Sequence, residues 1–157
     1  MLQFVKWYEA SSFGVAVENS NWVFPLAEAI HLLALAMLLG IVTIVSLRLL
    51  GLVLRDEAAG PLAAFFRGYF WRAVSVMLGT GFVMFWCNAY KYYHSPSFHV
   101  KLIVLIAAIV FQAVLLPRIT ISDAVGKTTA LARLAGIVSL ALWFGVGLAG
   151  RAIGFLG

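Results

Sequence analysis

Charge is what this chain has least of. Only 11% of its 157 residues are Asp, Glu, Lys or Arg, against about a quarter in an ordinary soluble domain. So few charges cannot cover a water-facing surface, which argues against a soluble globular class. Cysteine is scarcer still. The single Cys87 rules out an internal disulfide, and without CxxC or CxxCH there is neither a dithiol redox motif nor a covalent c-type haem attachment. No GxSxG, HExxH, P-loop or dinucleotide fingerprint occurs. An electron-transfer or accessory role is therefore expected ahead of a stand-alone enzyme. The first twenty residues carry Lys6, Glu9 and Glu18 and lack the basic start and apolar core of a signal peptide.

Apolar residues make up the balance. They account for 64% of the chain, and the mean hydropathy is +1.03. They fall into four runs, near Phe24–Leu54, Ala73–Tyr90, Val100–Leu116 and Leu134–Gly150. Each approaches or exceeds the roughly 17–20 residues that cross a ~30 Å hydrocarbon core. The runs are continuous rather than alternating, so helices and not barrel strands are expected. Polar breaks separate them: Arg55, Asp56, Glu57, Gly60 and Pro61, then His94, Ser95, Pro96 and Ser97, then the stretch from Pro117 to Lys127. The expectation is one all-α membrane domain over 1–157, a four-transmembrane-helix bundle with helices near 24–54, 70–92, 99–117 and 128–152. Phe4, Trp7 and Tyr8 share one helical face, which predicts a short interfacial helix within 1–21.

The net charge of +5 comes from basic residues placed between the apolar runs, which is the pattern of membrane loops and not of a nucleic-acid surface. Seven of the eleven (Arg48, Arg55, Arg67, Arg72, Arg118, Lys127, Arg133) flank the first and third loops, and Lys6, Lys91, Lys101 and Arg151 lie on the other side. The excess places the first and third loops in the cytoplasm and both termini outward, in what is expected to be a bacterial cytoplasmic membrane. Arg48 reads as a snorkelling anchor.

Ionisable residues inside a membrane are costly and are the first functional candidates. His31 lies seven residues beyond Phe24, about 10 Å into the first helix. It must face a partner helix, water or a ligand. One reading is an axial ligand to haem b between facing helices; the other is a histidine hydrogen-bonded to a neighbour. All three histidines, His31, His94 and His99, fall toward the outward side. His99 is the leading second ligand, with His94 and Met84 as weaker alternatives. Lys101 and Arg151, near the outward ends of helices three and four, are candidates to meet haem propionates or to act as interfacial anchors. Gly40, Gly79, Gly81, Gly145, Gly147 and Gly150 predict close helix packing. Few buried charges and no broken helices argue against a transporter.

Glu28-Ala-Ile-His31-Leu-Leu-Ala-Leu-Ala with Leu47-Arg48-Leu-Leu-Gly51, the junction Ser95-Pro96-Ser-Phe98-His-Val-Lys101-Leu, and Ala149-Gly150-Arg151 together resemble a family of small bacterial four-helix membrane proteins of uncharacterised function. These in turn look distantly similar to cytochrome b561-type and copper-resistance D-type membrane domains. That resemblance implies a haem- or metal-handling four-helix module with His31 as the best-matched ligand, although helix four carries no histidine. The function expected is electron transfer through bound haem, with lipid around the protein and a quinone or redox protein as partner. A cofactor-free subunit of a larger membrane complex is the alternative. Copper handling by His31, His94, His99 and a nearby Met is the third.

Overall fold

A computed structural model describes residues 22–87, 96–122 and 128–156. The interfacial helix expected within 1–21, together with His94 and Lys127, lies outside the described residues. Helix α1 spans Val23–Leu49, α2 Ala59–Cys87, and α3 Pro96–Val110. A π-helical stretch, Phe111–Leu115, carries α3 into α4, Leu116–Ser122, so that the two form one rod. Helix α5 covers Ala130–Leu156. The described residues are all-helical and contain no strand. Three helical segments are long and apolar enough to cross a membrane: Val23–Leu49, Phe98–Ile121 and Ala130–Arg151.

The helix ends differ from the sequence expectation for physical reasons. Helix α1 stops at Leu49, five residues early, because Gly51 adopts a left-handed φ of +72°. The N–H of Leu52 then donates to the Leu47 carbonyl and that of Gly51 to the Arg48 carbonyl, the paired closure that glycine makes possible at a helix C-terminus. Helix α2 begins at Ala59, about eleven residues before expectation. Its first half is amphipathic: Phe70 and Ala73 are buried while Arg67 and Arg72 face outward, and the Arg72 guanidinium lies over the Tyr69 ring. The third rod runs past Pro117 instead of ending there. Proline has no N–H and crowds the carbonyl four residues back, and the wider π turn immediately before it takes up the mismatch. Pro96, at the first position of α3, sits where its missing N–H is harmless. Thr129 caps α5, its Oγ1 accepting from the Ala132 N–H at 3.1 Å.

Contacts between the rods fix their directions. His31, early in α1, meets Thr80, late in α2. Ser46, late in α1, meets Gly136, early in α5, and Lys101, at the start of α3, meets Gly150. Neighbouring rods thus run antiparallel, with α1 between α2 and α5, and α3 packed on α5. Helix α4 closes the opposite end against α2, where the Thr120 carbonyl faces Gly60. The core is built on Leu38 and Val42 of α1, Phe70, Ala73, Val74 and Met77 of α2, Leu105 and Ala108 of α3, and Trp143 and Val146 of α5. Trp143 is fully buried and stands edge-on to Phe70 at 5.4 Å. Large apolar side chains such as Leu33, Phe65, Ile103, Ile106 and Leu148 point away from the core, the surface that suits contact with lipid.

The tightest backbone approach is at Gly136. A Cβ there would stand 2.9 Å from the Ser46 carbonyl oxygen and 3.3 Å from Leu49 Cβ. Of the glycines singled out for packing, Gly40, Gly79 and Gly147 have no neighbouring atom where a Cβ would project. Arg48 also departs from its expected role. It is only 1% exposed, and its Nε donates to the Glu57 carbonyl. Instead of snorkelling to the interface, it ties the first loop to the helix end.

Candidate functional site

His31, Thr80, Lys101 and Arg151 lie at the end of the bundle formed by the start of α1, the end of α2, the start of α3 and the end of α5. His31 is half-buried between α1 and α2. Its Nδ1 lies 2.9 Å from Thr80 Oγ1. The Thr80 hydroxyl has one proton and two carbonyls on its own helix, Val76 at 2.8 Å and Met77 at 3.2 Å. Such back-bonding is the usual use of a threonine hydroxyl in an apolar helix. A hydroxyl that back-bonds in this way is an acceptor for the ring, the arrangement in which the imidazole carries its proton on Nδ1 and a lone pair on Nε2.

Glycine makes the seat for this ring. A Cβ at Gly81 would stand 3.3 Å from His31 Cε1, so the imidazole lies against bare backbone. Met77, Gly81 and Met84 recur at helical spacing along α2, and Met84 is half-buried one turn beyond the ring. Met84 thus belongs to the His31 side of the site.

Lys101 enters from α3. A Cβ on Gly150 of α5 would meet its Nζ at 3.3 Å, so this chain position too is open because glycine occupies it. No carboxylate among the described residues pairs with the ammonium. Arg151 follows Gly150 on α5 and is exposed. The end of the bundle therefore brings together one oriented imidazole and one part-buried cation, with a second cation beside the glycine that Lys101 faces.

His99 does not share the Lys101 face of α3. It is exposed, on the side that also carries Ile103 and Ile106, and lies edge-on to Phe98 at 6.3 Å between ring centroids. Phe98 stacks on Phe85 of α2 at 5.3 Å and 20°, which bridges α2 and α3 across this end. His94 lies outside the described residues. Among the described residues no group of three or more His, Cys, Asp or Glu side chains is gathered as a metal cage.

Thr80 is the residue that reading the sequence missed. The signal was present: a hydroxyl seven residues from the end of α2 stands at the same depth as a histidine eight residues into α1, and polar side chains inside an apolar span pair with one another.

No curated protein and no solved structure matches the chain. A family model does match, over residues 4–156, which is nearly the whole length. The chain belongs to the family of unknown function DUF6644.

Proposed function

We propose that the protein is an integral membrane protein whose four helical rods all cross the bilayer, and that it holds haem b at the His31 end of the bundle for electron transfer. The observation that carries this reading is the placement of His31, its Nδ1 2.9 Å from Thr80 Oγ1. A ring anchored through Nδ1–H presents Nε2 to a ligand, and the anchoring hydrogen bond fixes its orientation and raises its basicity. The donor set around it suits a flat, dicarboxylate macrocycle: an imidazole for the iron, with Lys101 and Arg151 for the carboxylates. Haem would supply reversible one-electron chemistry, exchanging with a quinol pool or a redox protein. His31 would hold the group from one side, and the exposure of His99 leaves the opposite donor to be found between His99, His94 and Met84. Helix α2 counts as the fourth span in this reading, its apolar second half crossing beside α1. The arginine-rich end lies in the cytoplasm by charge placement, which puts the His31 end outward.

A reduced-minus-oxidised spectrum of the purified protein tests the reading. Haem b bands are expected, and His31→Ala should abolish them, while His99→Ala, His94→Ala and Met84→Leu identify the second donor. Protein produced with ample haem supply and purified without any would end the proposal, and copper in its place would move the site to copper handling. The same His31–Thr80 bond favours a second reading, in which it is helix–helix adhesion within a cofactor-free subunit of a larger complex. A flat spectrum with co-purifying subunits would support that one.

A further inference from the structure

At the end of the bundle opposite His31 lies a partly enclosed cavity of about 350 Å³, lined by Leu50, Gly51, Leu52, Arg55, Thr128 and Arg133. Its charges are all of one sign. Arg55 comes from the loop after α1 and Arg133 from the first turns of α5, so two guanidinium groups from distant parts of the chain meet around one space. Among the described residues no carboxylate lines it; Asp56, next in sequence to Arg55, is not part of the wall. The Nε of Arg55 donates to the Gly51 carbonyl, which holds that side chain against the end of α1. Its terminal NH₂ groups have no described protein partner, and neither does the guanidinium of Arg133.

Part of the competing electrostatics is offset locally. The last carbonyls of α1 are an unfavourable neighbour for an anion, but those of Ser46, Leu47 and Arg48 are taken up by the N–H groups of Leu50, Leu52 and Gly51. The α5 side presents the positive end of a 27-residue helix. Thr128 adds a hydroxyl beside Gly51, where a Cβ would meet its Oγ1 at 3.1 Å. Two arginine forks and a hydroxyl are the donors that recognise tetrahedral oxyanions, while Leu50 and Leu52 give the same cavity an apolar wall.

We propose that this cavity binds a phosphate group, carried either by an anionic lipid headgroup or by a free phosphate. Arg55 and Arg133 clamp the oxygens from two sides, and Thr128 donates to a third position. A bound phosphate would thereby join the first loop to the start of α5. This inference is independent of haem.

The test uses the full chain in an uncharged maltoside detergent. Short-chain phosphatidylglycerol, short-chain phosphatidylcholine and inorganic phosphate are each titrated while thermal unfolding is followed, since a ligand of the folded state raises the midpoint with concentration. If the site takes a lipid headgroup, phosphatidylglycerol raises the midpoint and phosphate does so weakly. If it takes free phosphate, inorganic phosphate suffices. Arg55→Gln and Arg133→Gln should each weaken the apparent affinity about tenfold, the scale of a lost charge-assisted hydrogen bond, and the pair together should remove the shift. Arg67→Gln/Arg72→Gln, which alters basic residues outside the cavity, should leave it intact. The proposal fails if the cavity double variant keeps the shift, if the control variant loses it equally, or if none of the three probes moves the midpoint.

Discussion

Replacing Thr80 by valine keeps the shape of the side chain and deletes the one acceptor that orients His31. The hydroxyl proton is committed to the Val76 carbonyl at 2.8 Å, so the bond at 2.9 Å to His31 Nδ1 has the ring as donor. In Thr80→Val the ring loses that partner. Polar contacts between membrane helices are worth about 0.6 kcal/mol on average and up to ~1.7 kcal/mol, a roughly threefold to twentyfold change in the unfolding equilibrium. A double-mutant cycle of Thr80→Val with His31→Phe, unfolded in mixed micelles, should return a coupling in that range. The tautomer has its own readout. With only three histidines in the chain, ¹⁵N labelling of histidine resolves each ring, and His31 should show protonated Nδ1 and bare Nε2 in the protein free of metal or haem. Thr80→Val should shift that ring toward an even mixture of tautomers. A coupling energy of zero, or a His31 ring protonated on Nε2 in the unmodified protein, would refute the assignment on which the haem proposal stands.

Two further outcomes follow from close contacts. Gly81→Val should push the imidazole off Thr80, because even the first carbon of the new side chain would stand 3.3 Å from the ring; loss of the His31–Thr80 coupling with retained helicity by circular dichroism is expected, and an unchanged coupling would contradict it. Gly136→Ala places a methyl 2.9 Å from a backbone carbonyl on α1, so the helices must separate, at a cost of about 1–3 kcal/mol. Unfolding in detergent measures it, and a variant as stable as the parent would show that the two helices do not approach there.

Much of the architecture was readable from hydropathy alone, because four apolar runs divided by Arg, Asp, Glu, Gly and Pro leave little choice of helices. The polar cluster at the His31 end was readable in part. Depth counted along a helix located His31, and charge counting located Lys101 and Arg151 near it. What stayed hidden depends on rotation about helix axes. His99 and Lys101 are two residues apart, yet one is exposed and the other faces α5. A glycine in an apolar run gives no sign of which neighbour it admits, so Gly136 has no mark to set it apart from Gly40 and Gly147, and Gly60 reads only as part of a polar break. The early start of α2 was obscured by Arg67 and Arg72, which look like loop residues until their shared outward face is seen. Pro117 looked like a terminator because the five residues that accommodate it differ from α-helix only in their hydrogen-bond spacing.

That π-helical stretch has a further effect on the third rod. A π turn holds one residue more than an α turn, so the chain beyond it is set back by about 100° from where a regular α-helix of the same sequence would carry it. The half with Lys101 can turn its buried stripe toward Gly150 while the half with Thr120 turns its own toward Gly60, which a straight α-helix of the same sequence could not do at once. Deleting a single residue between Phe111 and Leu115 would turn this stretch into ordinary α-helix and leave both seams in register, whereas forcing the present sequence into unbroken α-helix would open one of them.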